Sequence, residues 1–264
     1  MTSLPSPRSA LRKHLREGHT LLGSWLNSGS PMIAELMASC GFDFLCVDAE
    51  HSAVDLPEAQ RLFQAIRSGN PACGSLVRLH GVDYAWVKRF LDAGADGVVA
   101  PLVRTAEEAR LLVQACKYPP TGLRGVGFCR ANGYGLRVEE ELVRANEEVL
   151  VAVQIEHVDA VGAIDSILSV PGIDAVFIGP YDLTASMGIP AQFTHPDYLA
   201  ARAKILSACE RHGIVPGIHA VPSDPEAAEK LIREGYRFVA YSLDITMVAT
   251  ACTTALSRLR KVVS

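Results

Sequence analysis

The chain repeats one pattern: a short apolar run, a polar punctuation, then a stretch whose apolar residues recur every three to four positions. The unit at 149–183 displays it well. Val149–Ile155 and Ala175–Ile178 read as strands, and between them Val161, Ile164, Ile167 and Leu168 share one face of a helix over Val158–Leu168. Pro171-Gly172 then turns the chain, and a strand–helix–strand unit of this kind is parallel with a right-handed crossover. The same pattern predicts strands at Leu21–Leu26, Phe42–Val47, Gly74–Leu79, Gly97–Ala100, Val215–His219 and Phe238–Tyr241. Helices are expected at Pro31–Cys40, Leu56–Arg67, Tyr84–Leu91, Thr105–Cys116, Glu139–Glu148, His195–His212, Pro225–Arg233 and Ile245–Leu259. Thr105 with Glu108 three residues on is a capping-box pattern. Arg8–Glu17 reads as a short surface helix.

Eight strands alternating with helices, apolar enough to be buried on both faces, point to an α/β fold of the (β/α)₈ TIM-barrel kind. It forms one domain over 1–264, with 1–20 as an N-terminal extension. An open doubly wound sheet shares the alternation, and only the strand count of eight favours the barrel. Residues 117–137 break the rhythm: too rich in glycine and proline for helix or regular strand, they form a long loop of the kind that usually carries function.

Composition narrows the class. The chain is 49% hydrophobic and 20% charged with a formal net charge of −4, acids and bases intermixed, which gives no footprint for nucleic acid or a membrane. The seven cysteines are scattered and never spaced as Cys-x-x-Cys, so buried reduced thiols and a cytoplasmic location are expected. Residues 1–20 lack the apolar core of a secretory signal.

In a barrel, catalytic groups sit at the carboxyl ends of the strands. The tips here are Trp25–Asn27, Asp48–His51, Arg78–His80, Pro101, Gln154–Glu156, Gly179–Asp182, His219 and Ser242–Asp244. Glu156 and Asp182 converge on one rim, as two acids holding a hard divalent cation would, though either also suits a cap or turn. An imidazole is the side chain best suited to acid/base work near neutral pH, so His51 is the candidate for it, with Asp48 one turn away to orient it, or it is structural. Arg78 can grip a carboxylate by two prongs and stabilise an oxyanion, or pair with a barrel acid. Gln154 faces the same way as Glu156 and can bind substrate or brace the acid. The glycines at 122–127 follow Pro119-Pro120 instead of a strand, so they are no nucleotide fingerprint. No lysine ends a strand, which counts against Schiff-base chemistry.

Taken together, Phe42-Asp43-Phe44, Val47-Asp48-Ala49-Glu50-His51, Val77-Arg78, Leu91-Asp92-Ala93-Gly94-Ala95, Tyr118-Pro119-Pro120 with Arg124-Gly125-Val126-Gly127, Val153-Gln154-Ile155-Glu156 and Val176-Phe177-Ile178-Gly179-Pro180-Tyr181-Asp182 resemble the HpcH/HpaI family of metal-dependent class II pyruvate aldolases. The resemblance runs from about residue 20 to 250. It implies a barrel that exchanges its last helix with a neighbouring subunit, often as a trimer of dimers and so a hexamer. It implies Mg²⁺, Mn²⁺ or Co²⁺ on Glu156 and Asp182, chelated by pyruvate. It further implies His51 as base, Arg78 stabilising enolate and alkoxide charge, Gln154 on the 2-oxo acid, and Gly179, Pro180 and Tyr181 beside it with Asp182. Asp92 matches the acid that raises the basicity of the histidine, yet the periodicity puts it at a helix C-terminus, at the other end of a simple barrel. Tyr181 stands where the heptanedioate aldolases carry a small residue, and Tyr134 replaces a tryptophan-containing segment, so both bear on the acceptor pocket.

The reaction so implied is reversible cleavage of a 4-hydroxy-2-oxo acid to pyruvate, or a related 2-oxo acid, and an aldehyde. Oxaloacetate decarboxylation and citrate-forming or citryl-cleaving chemistry would use the same enolate. A non-catalytic sugar-acid-binding barrel is the reading of another class, which the presence of His51, Arg78, Glu156 and Asp182 together disfavours.

Overall fold

A computed structural model of the chain describes residues 7–263. Eight parallel strands, β1 (Leu21–Leu26), β2 (Phe44–Asp48), β3 (Gly74–Arg78), β4 (Gly97–Ala100), β5 (Leu150–Ile155), β6 (Ala175–Ile178), β7 (Val215–Ala220) and β8 (Phe238–Leu243), pair in chain order, and β8 closes on β1. The sheet is a closed (β/α)₈ barrel, which removes the doubly wound alternative.

Strand periodicity divides the core in two. One set of positions, including Trp25, Phe44, Cys46, Leu76, Val99, Leu150, Ala152, Phe177, Val215 and Phe238, fills the interior. The alternate set, with Leu45, Val47, Val77, Val98, Val151, Val153, Val176 and Ile218, packs against the helices. Each strand therefore meets an apolar surface on both faces, which explains its almost unbroken apolar sequence.

The surrounding helices are α1 (Pro7–Arg16), α2 (Pro31–Ser39), α3 (Leu56–Gly69), α4 (Tyr84–Ala93), α5 (Ala106–Cys116), α6 (Val138–Glu148), α7 (Val158–Gly162), α8 (Ile164–Leu168), α9 (Pro180–Ser186), α10 (Pro196–His212), α11 (Pro225–Arg233) and α12 (Asp244–Val263). The capping box of Thr105 and Glu108 is present at α5. Three features depart from expectation. The helix over 158–168 is two short ones, divided at Ala163. Residues 180–186 form a helix of their own, started by proline at its first position, so Asp182 lies in a first helical turn.

The third departure is α1, which is not a surface helix. Leu11 and Leu15 enter the interior cluster, and Arg12 is buried against Asp174. Gly74 makes room for this plug, since a Cβ there would stand 2.0 Å from Leu11 Cδ1. By contrast, α12 buries only Asp244, and Ile245, Val248, Leu256, Leu259 and Val262 along it are exposed. Of the seven thiols, only Cys46, Cys73, Cys116 and Cys209 are buried; Cys40 and Cys252 are exposed and Cys129 is half-buried, so the burial expected for all of them holds for four.

Candidate active site

Strand register brings the first pair together. Asp48 and Arg78 are direct cross-strand partners on β2 and β3, both pointing inward. Arg78 Nε donates to Asp48 Oδ1 at 2.9 Å and Nη2 to Oδ2 at 2.6 Å, and Asn27 Nδ2 donates to the same Oδ2 at 2.7 Å. Burial alone would raise the carboxyl of Asp48, but the guanidinium bonds outweigh it and hold the group below its usual range. The two-pronged grip expected between Arg78 and a substrate is thus spent on Asp48. Nη1 is left without a partner among the described residues. The guanidinium lies over the Trp25 ring, 4.4 Å from its centroid, which fixes its plane.

Asp48 does not orient the His51 imidazole as expected. It accepts the backbone N–H groups of Glu50 and His51 at 3.1 and 3.2 Å, and so shapes the β2–α3 loop instead. The imidazole is the more exposed partner, 58% accessible at the mouth, with Nε2 3.6 Å from Glu50 Oε2. Glu50 is the residue that sequence reasoning passed over within its own motif. Its Oε2 is buried without a hydrogen bond and lies 3.4 Å from Arg78 Nε. Burial pushes its carboxyl up to about 7; Arg78 opposes the rise, while Glu156, Asp48 and Asp182 add to it.

Across the mouth, Glu156 follows β5 and is buried. It is not the cap of the next helix, a place that His157 fills. One oxygen accepts the backbone N–H of Leu102 at 2.7 Å and the other accepts Gln154 Nε2. Leu102 has φ of 53°, a left-handed conformation unusual for leucine, in the turn that presents this N–H. Gly179 completes the cradle: a Cβ there would stand 2.6 Å from Glu156 Oε2 and 3.1 Å from Gln154 Nε2. The backbone of Gly179 and Pro180 leads into α9, where Asp182 is exposed with no hydrogen-bond partner among the described residues. Burial raises the Glu156 carboxyl, helped by the charge of Asp182. Tyr181 stands half-exposed on the rim, edge-on to Phe193 at 5.0 Å.

Asp92 is not among these groups. It lies in the last turn of α4, where Arg124 Nη2 donates to it at 2.8 Å. Tyr134 is exposed in the 117–137 loop.

The charge balance of the mouth is uneven. Asp48, Glu156 and Asp182 all act on Glu50, so that four acids lie against the guanidinium of Arg78. Among the described residues no three His, Cys, Asp or Glu side chains converge as a self-sufficient metal cluster. Two carboxylates in a field of excess negative charge, beside an unpaired buried Gln154 Oε1, do fit a divalent cation whose remaining positions go to a chelating substrate and water.

The comparisons with known proteins agree with this geometry. The family model described as HpcH/HpaI aldolase/citrate lyase matches residues 21–251. The chain belongs to the HpcH/HpaI family. It is 38% identical over 259 residues to the 4-hydroxy-2-oxovalerate aldolase of Rhodococcus jostii, covering 98% of this chain and 99% of that protein. A hydroxypyruvate/pyruvate aldolase of Sagittula stellata is 39% identical over 246 residues, covering 93% and 95% of the two chains. Among solved structures, a HpcH/HpaI aldolase/citrate lyase family protein of Burkholderia cenocepacia superposes with a TM-score of 0.91 at 35% identity, covering 96% of this chain and 99% of that one. This member of the family is accordingly a lyase of the aldolase type, which removes the non-catalytic reading.

Proposed function

We propose that this HpcH/HpaI protein is a divalent-metal-dependent class II aldolase, reversibly cleaving a 4-hydroxy-2-oxo acid into a small 2-oxo acid, pyruvate or a close relative, and an aldehyde. The observation that carries it is the mouth itself: an acid pair, a fixed guanidinium and an accessible imidazole around one cavity, with more negative charge than the chain neutralises. Glu156 and Asp182 would hold Mg²⁺, Mn²⁺ or Co²⁺, which when bound supplies Lewis-acid stabilisation of the enolate. Gln154 Nε2 and the Gly179 backbone keep Glu156 in place. The 2-oxo acid lies between these groups and Arg78.

His51 takes the C4 hydroxyl proton, directly or through one water, as the C3–C4 bond breaks. The bonding electrons pass into the C2–C3 enolate, the aldehyde leaves, and a proton returned to C3 completes the product. Arg78 Nη1 faces the charge that develops on the oxo-acid oxygen, and Asp48 keeps the guanidinium from rotating away. Tyr181 and Phe193 border the side from which the aldehyde departs.

The protein works as a single-domain unit in the cytoplasm, within a homo-oligomer built from dimers and up to a hexamer. The exposed apolar residues of α12 support an exchange of that helix with a second copy. A monomer in sedimentation at micromolar concentration would contradict this.

The function is tested by stripping the protein with chelator, confirming the loss of metal by elemental analysis, and assaying pyruvate release from a panel of 4-hydroxy-2-oxo acids. Activity should disappear and return with Mn²⁺, Co²⁺ or Mg²⁺. Full activity without metal would sink the class II assignment.

A further inference from the structure

The amino end of the barrel carries a cleft that the proposed reaction does not use. Its volume is about 530 Å³, and it opens between the end of α1, the turn from α10 into β7 and the turn from α11 into β8. That size suits a small organic molecule. α1 forms one wall: Leu15 belongs to the barrel's interior cluster, while Arg16 beside it stands on the cleft with its side chain 58% exposed.

The charges along the cleft are of two kinds. Asp174 and Glu234 are already spent, since Asp174 Oδ1 accepts Arg12 Nε at 2.6 Å and Glu234 is paired with Arg202. Arg16 comes only within 3.6 Å of the same Asp174 oxygen that Arg12 holds. The Arg237 guanidinium and the Glu210 carboxylate make neither a hydrogen bond nor an ion pair among the described residues, although both line this cleft. A cation and an anion that share a cleft beyond ion-pair distance leave room for a ligand carrying both signs.

The backbone strengthens the negative side. α1, α10 and α11 all end at the cleft, with Gly18, Gly213 and Gly235 in the left-handed region just past their last turns. Helix carboxyl ends present free carbonyls and a partial negative charge, which favour an ammonium group and disfavour a plain anion. The guanidinium groups of Arg16 and Arg237 supply what a carboxylate needs. Leu206, Ile214 and Val215 add an apolar surface to the same lining. We infer that this cleft binds a free α-amino acid with an apolar side chain. Its carboxylate goes to Arg16 and Arg237, its ammonium to Glu210 and the helix carbonyls, and its side chain to Leu206 and Ile214. The site is at the opposite end of the barrel from the mouth and does not rest on the aldolase reading. A bound amino acid ties α1 to α10 and α11, so occupancy stabilises the fold.

Isothermal titration of the metal-loaded protein, with pyruvate saturating the mouth, tests this with leucine and phenylalanine as probes. At least one of them should bind saturably and raise the Tm. Analogues that keep the side chain and one charge are 3-methylbutylamine and 4-methylpentanoate for leucine, and 2-phenylethylamine and 3-phenylpropanoate for phenylalanine. Each should bind at least about tenfold more weakly than its amino acid, the scale of one lost charged contact. Arg237→Ala and Glu210→Ala should each weaken the amino acid by a similar factor, and an unchanged retro-aldol kcat in the same preparations shows that both variants are folded. An acid analogue that binds as tightly as its amino acid makes this a plain anion site and overturns the inference. Affinity unchanged in both variants, or no saturable binding of either amino acid in the millimolar range, overturns it as well and leaves the aldolase standing.

Discussion

The two ends of the barrel treat charge in opposite ways. At the amino ends of the strands most polar groups are matched, the Ser75 hydroxyl being an exception. Asp43, Asp96 and Asp174 each precede a strand and accept a backbone N–H from the preceding one, at Leu22, Ser75 and Val151, with distances of 2.8, 2.8 and 3.0 Å. Arg12 closes on Asp174 at 2.6 Å and Arg67 on Asp96 at 3.1 Å, while Lys117 Nζ donates to the carbonyls of Asn146 and Val149. At the carboxyl ends, Glu50 Oε2, Gln154 Oε1 and Trp25 Nε1 have no partner, and four acids face one guanidinium. Buried groups that find partners hold a fold together, and those left over mark the place kept for something outside the chain.

This contrast can be broken by removing one group from each end. The largest effect is expected at the mouth: His51→Ala should slow retro-aldol cleavage by about 10²–10⁴-fold, the range for one general base. Oxaloacetate decarboxylation has no hydroxyl proton to remove and should suffer far less. Equal loss on both substrates in steady-state assays would show that His51 positions other groups instead of moving that proton.

At the sealed end the currency is stability. Arg12→Ala leaves the Asp174 carboxylate buried without its guanidinium and should cost about 3–5 kcal/mol in denaturant unfolding. The fraction that remains folded should keep its kcat. A change in kcat as large as that in stability would mean that the two ends are not separable.

The smallest effect sharpens the idea that the mouth is built against its own stability. Glu50 has a folded value of about 7 against an ordinary 4.5, so between those values the folded state binds the extra proton. Stability of metal-stripped protein should therefore fall as pH rises through that window, and the protection is fully lost above about pH 7. Glu50→Gln should flatten this dependence and raise the Tm at pH 8 by about 2–4 °C. A wild-type Tm that climbs from pH 5 to pH 7 would place the strain elsewhere.

Some of this was legible in the chain and some was not. The strands, the capping box at Thr105 and the rim positions of Glu156 and Asp182 follow from local periodicity, because side-chain direction alternates within a strand whatever surrounds it. That α1 would plug the barrel was not legible: Leu11 and Leu15 look like any amphipathic surface stripe until Gly74 is seen to make room for them. Asp48 was read as the partner of His51 because the two are near in sequence, whereas β2–β3 register hands it to Arg78. Glu50 is not legible as a site residue because the groups that act on it, Arg78, Glu156 and Asp182, come from other strand ends.

The amino-acid sequence by itself determined the eight-fold alternation, the family motifs and the residue types available at each strand end. Those depend on spacing within a few turns of chain, where geometry repeats. Only the tertiary structure decided which acids are neutralised and that Nη1 of Arg78 is the prong left over. Those outcomes depend on closure of β8 onto β1, which sums burial and charge over segments that no local pattern connects.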